Sequence, residues 1–247
     1  MKYRSIVVVL LLLCTYQAQA QDQRSFTYGF KLGISGSAIH GLDKIKIPRP
    51  PSDVGLFDVL RVAPHGGIFV TYKIPNVLGP QYIIDIVKRL SVGTELTVSN
   101  VGFIHDYLGI KLSYFNIPLL CMFQVRKAPH GVLLYLGPQV EFLRHAMPLK
   151  VLVPFFEEHD FNTMIWSLVW GVQYISPIGV NLDFRYNCGL SDITQPHGFW
   201  WSLHMTEGTW FTNQYVQLSL SVDVYKAYKG MRRLGETSTR PKPLGDC

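Results

Sequence analysis

Histidine is the residue type in this 247-residue chain that is best suited to bind metal or haem, because neutral imidazole is the commonest metal ligand in proteins. Seven of the eight histidines fall in or beside segments that we predict to lie at one end of the molecule: His40, His65, His105, His145, His159, His197 and His204. The candidate surface ligands are His159, His197 and His204. No pair has a defined ligand spacing, and polar loops commonly tolerate histidine. We therefore predict no bound metal or cofactor, with surface haem or metal capture as the alternative function.

A second possible chemistry is acyl transfer, in which histidine and a carboxylate activate a serine nucleophile, as in small membrane barrels that modify lipid A. His105 and Asp106, together with Ser99, supply the residue types. No nucleophile motif surrounds Ser99, and the spacing does not require such a site. We expect no catalytic residues and no enzymatic activity, and lipid A modification stays an alternative.

The adjacent tryptophans Trp200 and Trp201, in the stretch GFWWSLHM, are candidate partner contacts. Large exposed aromatic side chains are typical of interaction sites and of loops that dip into a membrane interface. The net charge of +6 is mild, and no Lys/Arg cluster carries interleaved aromatics, which argues against nucleic-acid binding. The four cysteines are scattered and contain no Cys-x-x-Cys, so they predict no disulfide framework.

Residues 1–20 predict a secretory signal peptide. Its parts are a positive start with Lys2 and Arg4, an apolar stretch at 6–13 and a cleavage site at Ala18-Gln19-Ala20. The apolar stretch is far shorter than the roughly 20 residues that span a bilayer as a helix. Cys14 leaves a lipoprotein as an alternative. We expect the mature chain to begin at Gln21.

The elements that must position these side chains are strands with two different faces. In the stretch NQYVQLSLSVDVY, one face is apolar and the other polar, and the apolar residues are Val216, Leu218, Leu220, Val222 and Val224. The segment from Ile178 to Tyr186 alternates in the same way. Alternation with period two indicates strands whose faces meet different environments. A soluble sandwich and a transmembrane barrel with apolar residues facing lipid both satisfy this pattern.

Eight strands and no helix are predicted after the signal peptide: Thr27–Gly36, His65–Ile74, Tyr82–Val98, Gly109–Phe123, Gly131–Leu143, Asn162–Ile175, Ile178–Asn187 and Asn213–Tyr225. Short connections alternate with long ones, as in outer-membrane barrels, and aromatic residues gather near the strand ends. Asn116 and Pro118 break the alternation of the fourth strand, where we expect a bulge. The prediction is an all-β fold, an eight-stranded antiparallel up-and-down transmembrane β-barrel over residues 21–225.

The polar face carries equal numbers of cations and carboxylates that would line the barrel interior: Lys31, Lys73, Lys111, Arg185, Glu95, Glu141, Asp183 and Asp223. Side chains fill the interior of an eight-stranded barrel. Because an unpaired buried charge is costly, this balance predicts an ion network that closes the lumen. In a soluble sandwich the same residues would only form a solvated face.

Three motifs resemble the PorT-type outer-membrane β-barrel family of Bacteroidota, over a span from about Tyr28 to Tyr225. The first is a Tyr-x-x-Ile-Pro-Leu-Leu strand (Tyr114, Ile117, Pro118, Leu119 and Leu120). The second corresponds to the family's Tyr-Leu-x-x-Gly-Pro strand with a shorter spacing (Tyr135, Leu136, Gly137 and Pro138), and the third is a strand end with Tyr186, Asn187, Gly189, Leu190, Asp192 and Ile193. The resemblance implies an outer-membrane location and an accessory role in protein export by type IX secretion. It also implies partners among the envelope secretion proteins and outer-membrane lipid.

A basic tail from Lys226 to Cys247 follows the last predicted strand, where chains of that family usually stop. It contains Arg232 and Arg233, which are further candidate partner contacts. The tail has no periodic pattern of apolar residues, so we do not expect it to fold alone. Because eight strands return the chain to its starting side, we expect both termini in the periplasm and the tail to act as a flexible arm.

Overall fold

The computed structural model describes residues 26–40, 61–74, 81–104, 108–125, 131–151, 160–195 and 211–229. Within these ranges the strands are β1 (Phe26–His40), β2 (Arg61–Lys73), β3 (Leu90–Ile104), β4 (Leu108–Gln124), β5 (Gly131–Val151), β6 (Met164–Ile175), β7 (Val180–Gly189) and β8 (Thr212–Asp223). Helix α1 (Gln81–Val87) lies between β2 and β3. A second helix, α2, covers residues 224–229 directly after β8, so the last predicted strand, Asn213–Tyr225, ends two residues early and the predicted tail begins within a helix. The predicted signal peptide and residues 230–247 of the tail lie outside the described ranges.

Each strand pairs antiparallel with its neighbour in the chain, and β8 pairs with β1, so the sheet closes into a barrel of eight strands. The closing pair runs from Gly29 opposite Asp223 to His40 opposite Thr212. Closure leaves no unpaired sheet edge. The predicted fold class, an eight-stranded antiparallel up-and-down β-barrel, is confirmed.

Burial alternates along the strands in the manner that their sequences predict. In β7, for example, Asn181, Asp183 and Arg185 are buried, whereas Leu182 and Phe184 are exposed. The polar face therefore points into the barrel and the apolar face points outward. This inversion of the usual rule for water-soluble proteins is typical of a membrane barrel. Among the described residues, no helix is long and apolar enough to cross a membrane.

Two connections differ from the prediction. The expected third strand, Tyr82–Val98, begins only at Leu90, and its first part forms α1. The last residue of β2, Lys73, pairs with Ser91. Residues before Leu90 therefore have no neighbouring strand on the β2 side, and α1 satisfies the backbone within itself. At the opposite end, β3 extends to Ile104, so the connection between the third and fourth strands is only residues 105–107. The predicted alternation of short and long connections is therefore wrong at these two places.

Strand β4 keeps its alternation through Asn116 and Pro118, which both face the interior. The expected bulge at these residues is wrong. Register shifts against β5 occur instead between Gly109 and Ile110 and between Ser113 and Tyr114. Pro118 lacks an N–H donor, and its carbonyl oxygen accepts a hydrogen bond from the Thr94 hydroxyl at 2.9 Å. The sheet thus accommodates the proline without an extra residue at that position.

Candidate functional site

The centre of the lumen is a buried cluster of four charged side chains, here called the ion cluster: Lys31 from β1, Glu95 from β3, and Asp183 and Arg185 from β7. Lys31 Nζ lies 3.0 Å from Glu95 Oε1 and 2.7 Å from Asp183 Oδ2. Arg185 Nη2 lies 2.7 Å from Glu95 Oε1 and 4.0 Å from Asp183 Oδ2. Two cations therefore face two carboxylates, and the cluster is neutral overall.

Uncharged side chains complete the ion cluster. The Tyr135 hydroxyl donates to Asp183 Oδ1 at 2.5 Å and accepts from Arg185 Nε at 3.1 Å. The Arg185 guanidinium carbon also lies 5.2 Å from the centre of the Tyr135 ring. Ser219 donates to Asp183 Oδ2 at 3.4 Å, and His65 Nε2 lies 3.2 Å from the Ser219 hydroxyl. Buried charges require partners of this kind, because the interior does not solvate them.

Two glycines allow ring side chains to reach the ion cluster across an intervening strand. Gly171 lies between Tyr135 and Arg185 in the sheet register, and Gly33 lies between His65 and Ser219. A Cβ atom at Gly171 would collide with the Tyr135 side chain, and one at Gly33 would lie 2.7 Å from His65 Cε1; each would also collide with a backbone oxygen of a neighbouring strand. The glycines therefore provide the space that the two rings occupy.

The other four predicted lumen charges lie outside the ion cluster. Glu141 is buried, but its described partners are uncharged: Ser167 donates at 2.7 Å, Gln139 at 2.8 Å and Tyr215 at 3.1 Å. Asp223 pairs with Lys226 of α2 at 3.3 Å. Lys73 is exposed at the end of β2. Lys111 lies between the buried residues Ile110 and Leu112 and pairs with the exposed Met147, so it faces outward and its predicted place in the lumen is wrong. The predicted single network of eight charges is thus replaced by the ion cluster, a hydrogen-bond network around Glu141, the pair of Asp223 with Lys226, and two lysines that lie apart from them.

A cluster of buried apolar side chains fills the end of the lumen away from the chain termini. We call it the apolar plug, and it consists of Ile39, Val101, Ile110, Leu112, Tyr114, Phe161, Ile165, Ile193, Phe211 and Tyr215. Residues from the β5–β6 and β7–β8 connections contribute to it. They are held by a bridge between Phe161 and Thr194 and by a hydrogen bond from Ile193 N to Phe211 O at 2.9 Å. In the part of the chain that the structure describes, these apolar side chains close this end of the lumen.

The opposite end of the lumen contains a cavity of about 510 Å³. Lys31 and Glu95 of the ion cluster form its inner limit, and Lys73, Pro177 and Lys226, all exposed, lie at its outer edge. β1 begins and β8 ends at this end of the barrel. The lumen is therefore a cup that is closed in the middle by ion pairs and at the far end by apolar packing.

The exterior of the barrel is an apolar belt. The outward side chains of β6, β7 and β8 include no charged residue. Large apolar residues are exposed there and on β1, where Leu32 is 71% and Phe30 is 60% exposed. Aromatic pairs lie at two heights, Phe26 with Tyr72 at 4.7 Å between ring centres and Trp170 with Tyr186 at 5.5 Å. Such a surface would be unfavourable in water and suits a hydrocarbon environment.

The residues that suggested chemistry at the rim are not assembled into a site within the described ranges. His159, His197 and His204, the tryptophans Trp200 and Trp201, and Arg232 and Arg233 all lie outside those ranges. His65, expected at the loop end, is instead buried in the lumen. Ser99 is fully buried and accepts a hydrogen bond from Asn116 at 2.7 Å. In the part of the chain that the structure describes, no group of three or more His, Cys, Asp or Glu residues is placed to hold a metal.

Sequence reasoning missed Tyr135, His65 and Ser219 as partners of the ion cluster. The alternation of inward and outward residues in each strand places all three side chains on the inner face. That alternation could have identified them as residues of the lumen. Their height along the barrel axis depends on the pairing register, which one strand's sequence does not define.

The closed sheet, the polar interior and the apolar belt together define the class of the protein, an eight-stranded antiparallel barrel of outer-membrane type. No protein-family model and no curated protein matches the chain. The resemblance to the PorT-type family therefore stays a prediction.

Solved structures with a similar course of the chain are small barrels. The attachment invasion locus protein Ail of Yersinia pestis has 8% sequence identity and a TM-score of 0.40, with 81% of this chain and 99% of that chain covered. Neisserial surface protein A has 14% identity and a TM-score of 0.40, with 81% and 97% covered. Ail in complex with the heparin analogue sucrose octasulfate has 9% identity and a TM-score of 0.39, with 81% and 99% covered. Values this low carry no information on what this chain binds.

Proposed function

We propose that this protein is a non-enzymatic, non-conducting barrel of the outer membrane that acts as an accessory component of protein export, in the manner of type IX secretion. The observation that carries the proposal is the closed lumen. The ion cluster and the apolar plug occupy the interior, so the barrel offers no path for cargo. A barrel without a channel acts through its surfaces and its ends.

The export role itself is supported by the resemblance of the strand motifs to the PorT-type family. Both described ends of the barrel chain lie on one side, because an even number of strands returns the chain to where it began. We place that side in the periplasm, where the tail from residue 230 onward, with Arg232 and Arg233, is available to envelope partners. The partners in this proposal are other secretion proteins and outer-membrane lipid.

Deletion of the gene tests this proposal, followed by a survey of exported proteins in the periplasm and the medium. We expect cargo proteins to accumulate in the periplasm, and the full-length gene to restore export. A variant that ends after Lys229 retains every described residue and serves as the second arm. Loss of export in this variant, with normal barrel assembly, identifies the tail as a contact for partners. Normal export in the deletion strain contradicts the proposal.

A further inference from the structure

The cavity at the termini end of the lumen has the size and the lining of a binding site. Its volume of about 510 Å³ lies within the range of ligand pockets, roughly 300–1,000 Å³. It is enclosed by the strands, so lipid in the surrounding bilayer does not reach it from the side. It ends at the ion cluster, so a ligand enters only from the end where the chain termini lie.

The charges of the cavity favour an anionic ligand. Four cations line it, Lys31, Lys73, Arg89 and Lys226, against the two carboxylates Glu95 and Asp223. Lys31 is bound within the ion cluster, and Lys226 pairs with Asp223.

Lys73 and Arg89 carry the remaining positive charge. Among the described residues, neither of them has a carboxylate within ion-pairing distance, and the described partner of Arg89 is the Val125 carbonyl oxygen at 3.5 Å. Lys73 is the last residue of β2, and Arg89 directly precedes β3. They therefore form a positive pair at the outer edge of the cavity.

The walls combine apolar and hydrogen-bonding groups. Phe69, Leu90, Met122, Leu133 and Ile175 supply apolar surface. Between them lie hydroxyl and amide side chains: Thr27, Thr71, Ser91, Gln124, Gln173 and Asn181. Some of these already have protein partners, since Gln173 donates to Ser221 at 3.0 Å and the Asn181 side-chain oxygen accepts from Ser176 N at 3.1 Å. A hydrocarbon tail offers no hydrogen-bonding groups to this polar part of the wall, and covering a polar group that lacks a partner is costly. A short peptide contains both kinds of group.

We propose that this cavity binds a short acidic segment of a partner protein, with apolar side chains against Phe69 and Met122 and carboxylates on Lys73 and Arg89. The inference deepens the proposed function, since it rests on that function for the identity of the compartment and of the partner class. Peptide binding to the purified barrel is measured without the cell envelope or the natural partner. A barrel that does not bind the peptide could therefore still act in export, and a barrel that binds it could act in another process.

The test uses the full mature chain folded in detergent micelles, with folding checked by migration on gels before and after boiling. The probe is the peptide acetyl-Leu-Phe-Asp-Asp with a free C-terminal carboxylate, and binding is measured by calorimetry. We expect saturable binding that weakens as salt is added. The analogue acetyl-Leu-Phe-Asn-Asn-amide, which has the same shape without charge, is expected not to bind.

Variants locate the site. Replacing Lys73 and Arg89 together by glutamine should weaken binding about tenfold, the effect of losing two exposed charge contacts. Replacing Lys111 and Arg144 by glutamine removes the same charge near the opposite end of the barrel and should leave binding unchanged. Thr71→Trp, which fills the cavity, should abolish it.

Three results would overturn the proposal: no binding of the acidic peptide to folded protein, equal binding of the neutral analogue, or equal weakening by the two double substitutions. Dodecanoate provides the comparison with a lipid-like anion. Binding of dodecanoate in the cavity without binding of the peptide would also contradict a peptide ligand.

Discussion

Four charged side chains in the middle of the lumen compensate one another closely enough to be buried. Lys31 of β1 contacts both Glu95 and Asp183. Arg185 of β7 contacts the same two carboxylates. All four side chains are at most 5% exposed. The favourable energy of such a cluster depends on every member, because removal of one leaves a buried charge without its partner.

Asp183→Ala is therefore expected to destabilise the barrel by roughly 3–5 kcal/mol, the usual effect of breaking a buried ion pair. The measurement is the unfolding midpoint in urea of protein in detergent, followed by the loss of the fast-migrating folded band. Asp85→Ala is the matched control. Asp85 is exposed on α1, and its described side-chain contact is with Gln81 at 3.4 Å. Equal effects of the two substitutions would contradict the ion cluster.

Glu95 and Glu141 are both buried carboxylates, but they differ in their partners. Comparing substitutions of the two therefore distinguishes the contribution of ion pairs from that of hydrogen bonds to uncharged groups. Glu95 faces two cations, whereas the described partners of Glu141 are Gln139, Ser167 and Tyr215. Glu95→Gln should cost about 3 kcal/mol or more in urea unfolding, because Lys31 and Arg185 lose their shared partner. Glu141→Gln keeps the acceptor and should cost about 1 kcal/mol or less. The reverse order would contradict this assignment of partners.

Alternation along the sequence was sufficient to place these side chains on the inner face, but not to pair them. Lys73 shares the inward parity of Lys31, yet it lies at the end of β2 where the barrel opens. Glu141 also faces inward, as its position in the alternation predicts. At its height along the barrel axis, however, the neighbouring side chains are the amide of Gln139 and the hydroxyls of Ser167 and Tyr215. Height along the axis comes from the register between strands, and no single strand encodes it.

At the scale of the elements, glycine positions determine which side chains meet inside the barrel. Gly171→Ala is expected to destabilise the protein by about 1–3 kcal/mol, since the added methyl group would collide with both the Phe184 backbone oxygen and the Tyr135 hydroxyl, and one of them must move. Gly66→Ala is the control, because its Cβ atom faces outward and meets mainly the flexible end of Leu32. Urea unfolding of both variants checks the difference. A cost for Gly66→Ala as large as for Gly171→Ala would contradict it.

The strands were predictable because their side chains alternate between two environments. A soluble sandwich satisfies that pattern as well, so the membrane prediction also needed the connection lengths and the balanced charges of the inner face. The helical conformation of the segment around Tyr82 was not predictable in this way, because Tyr82, Ile84 and Ile86 alternate with other residues as in a strand. What decides its conformation is the lack of a neighbouring strand beyond the pair of Lys73 with Ser91. The backbone bonds within α1 instead, as in the 2.9 Å bond from Lys88 N to Ile84 O.

The whole molecule is asymmetric along its axis. One end is filled by the apolar plug, the middle by the ion cluster, and the end that carries the chain termini by a cavity with a positive edge. The apolar plug was not predicted from the sequence. It draws Phe161, Ile193 and Phe211 from connections, where no periodic pattern marks a residue as buried.

The central claim is that this membrane barrel does not conduct, and single-channel recording in planar bilayers tests it most directly. Purified protein that shows the folded band on unboiled gels should insert without current steps across a range of voltages, because the ion cluster and the apolar plug close the lumen. An open porin measured in the same bilayers provides the positive control. Steady, reproducible steps from the wild-type protein would contradict a closed lumen.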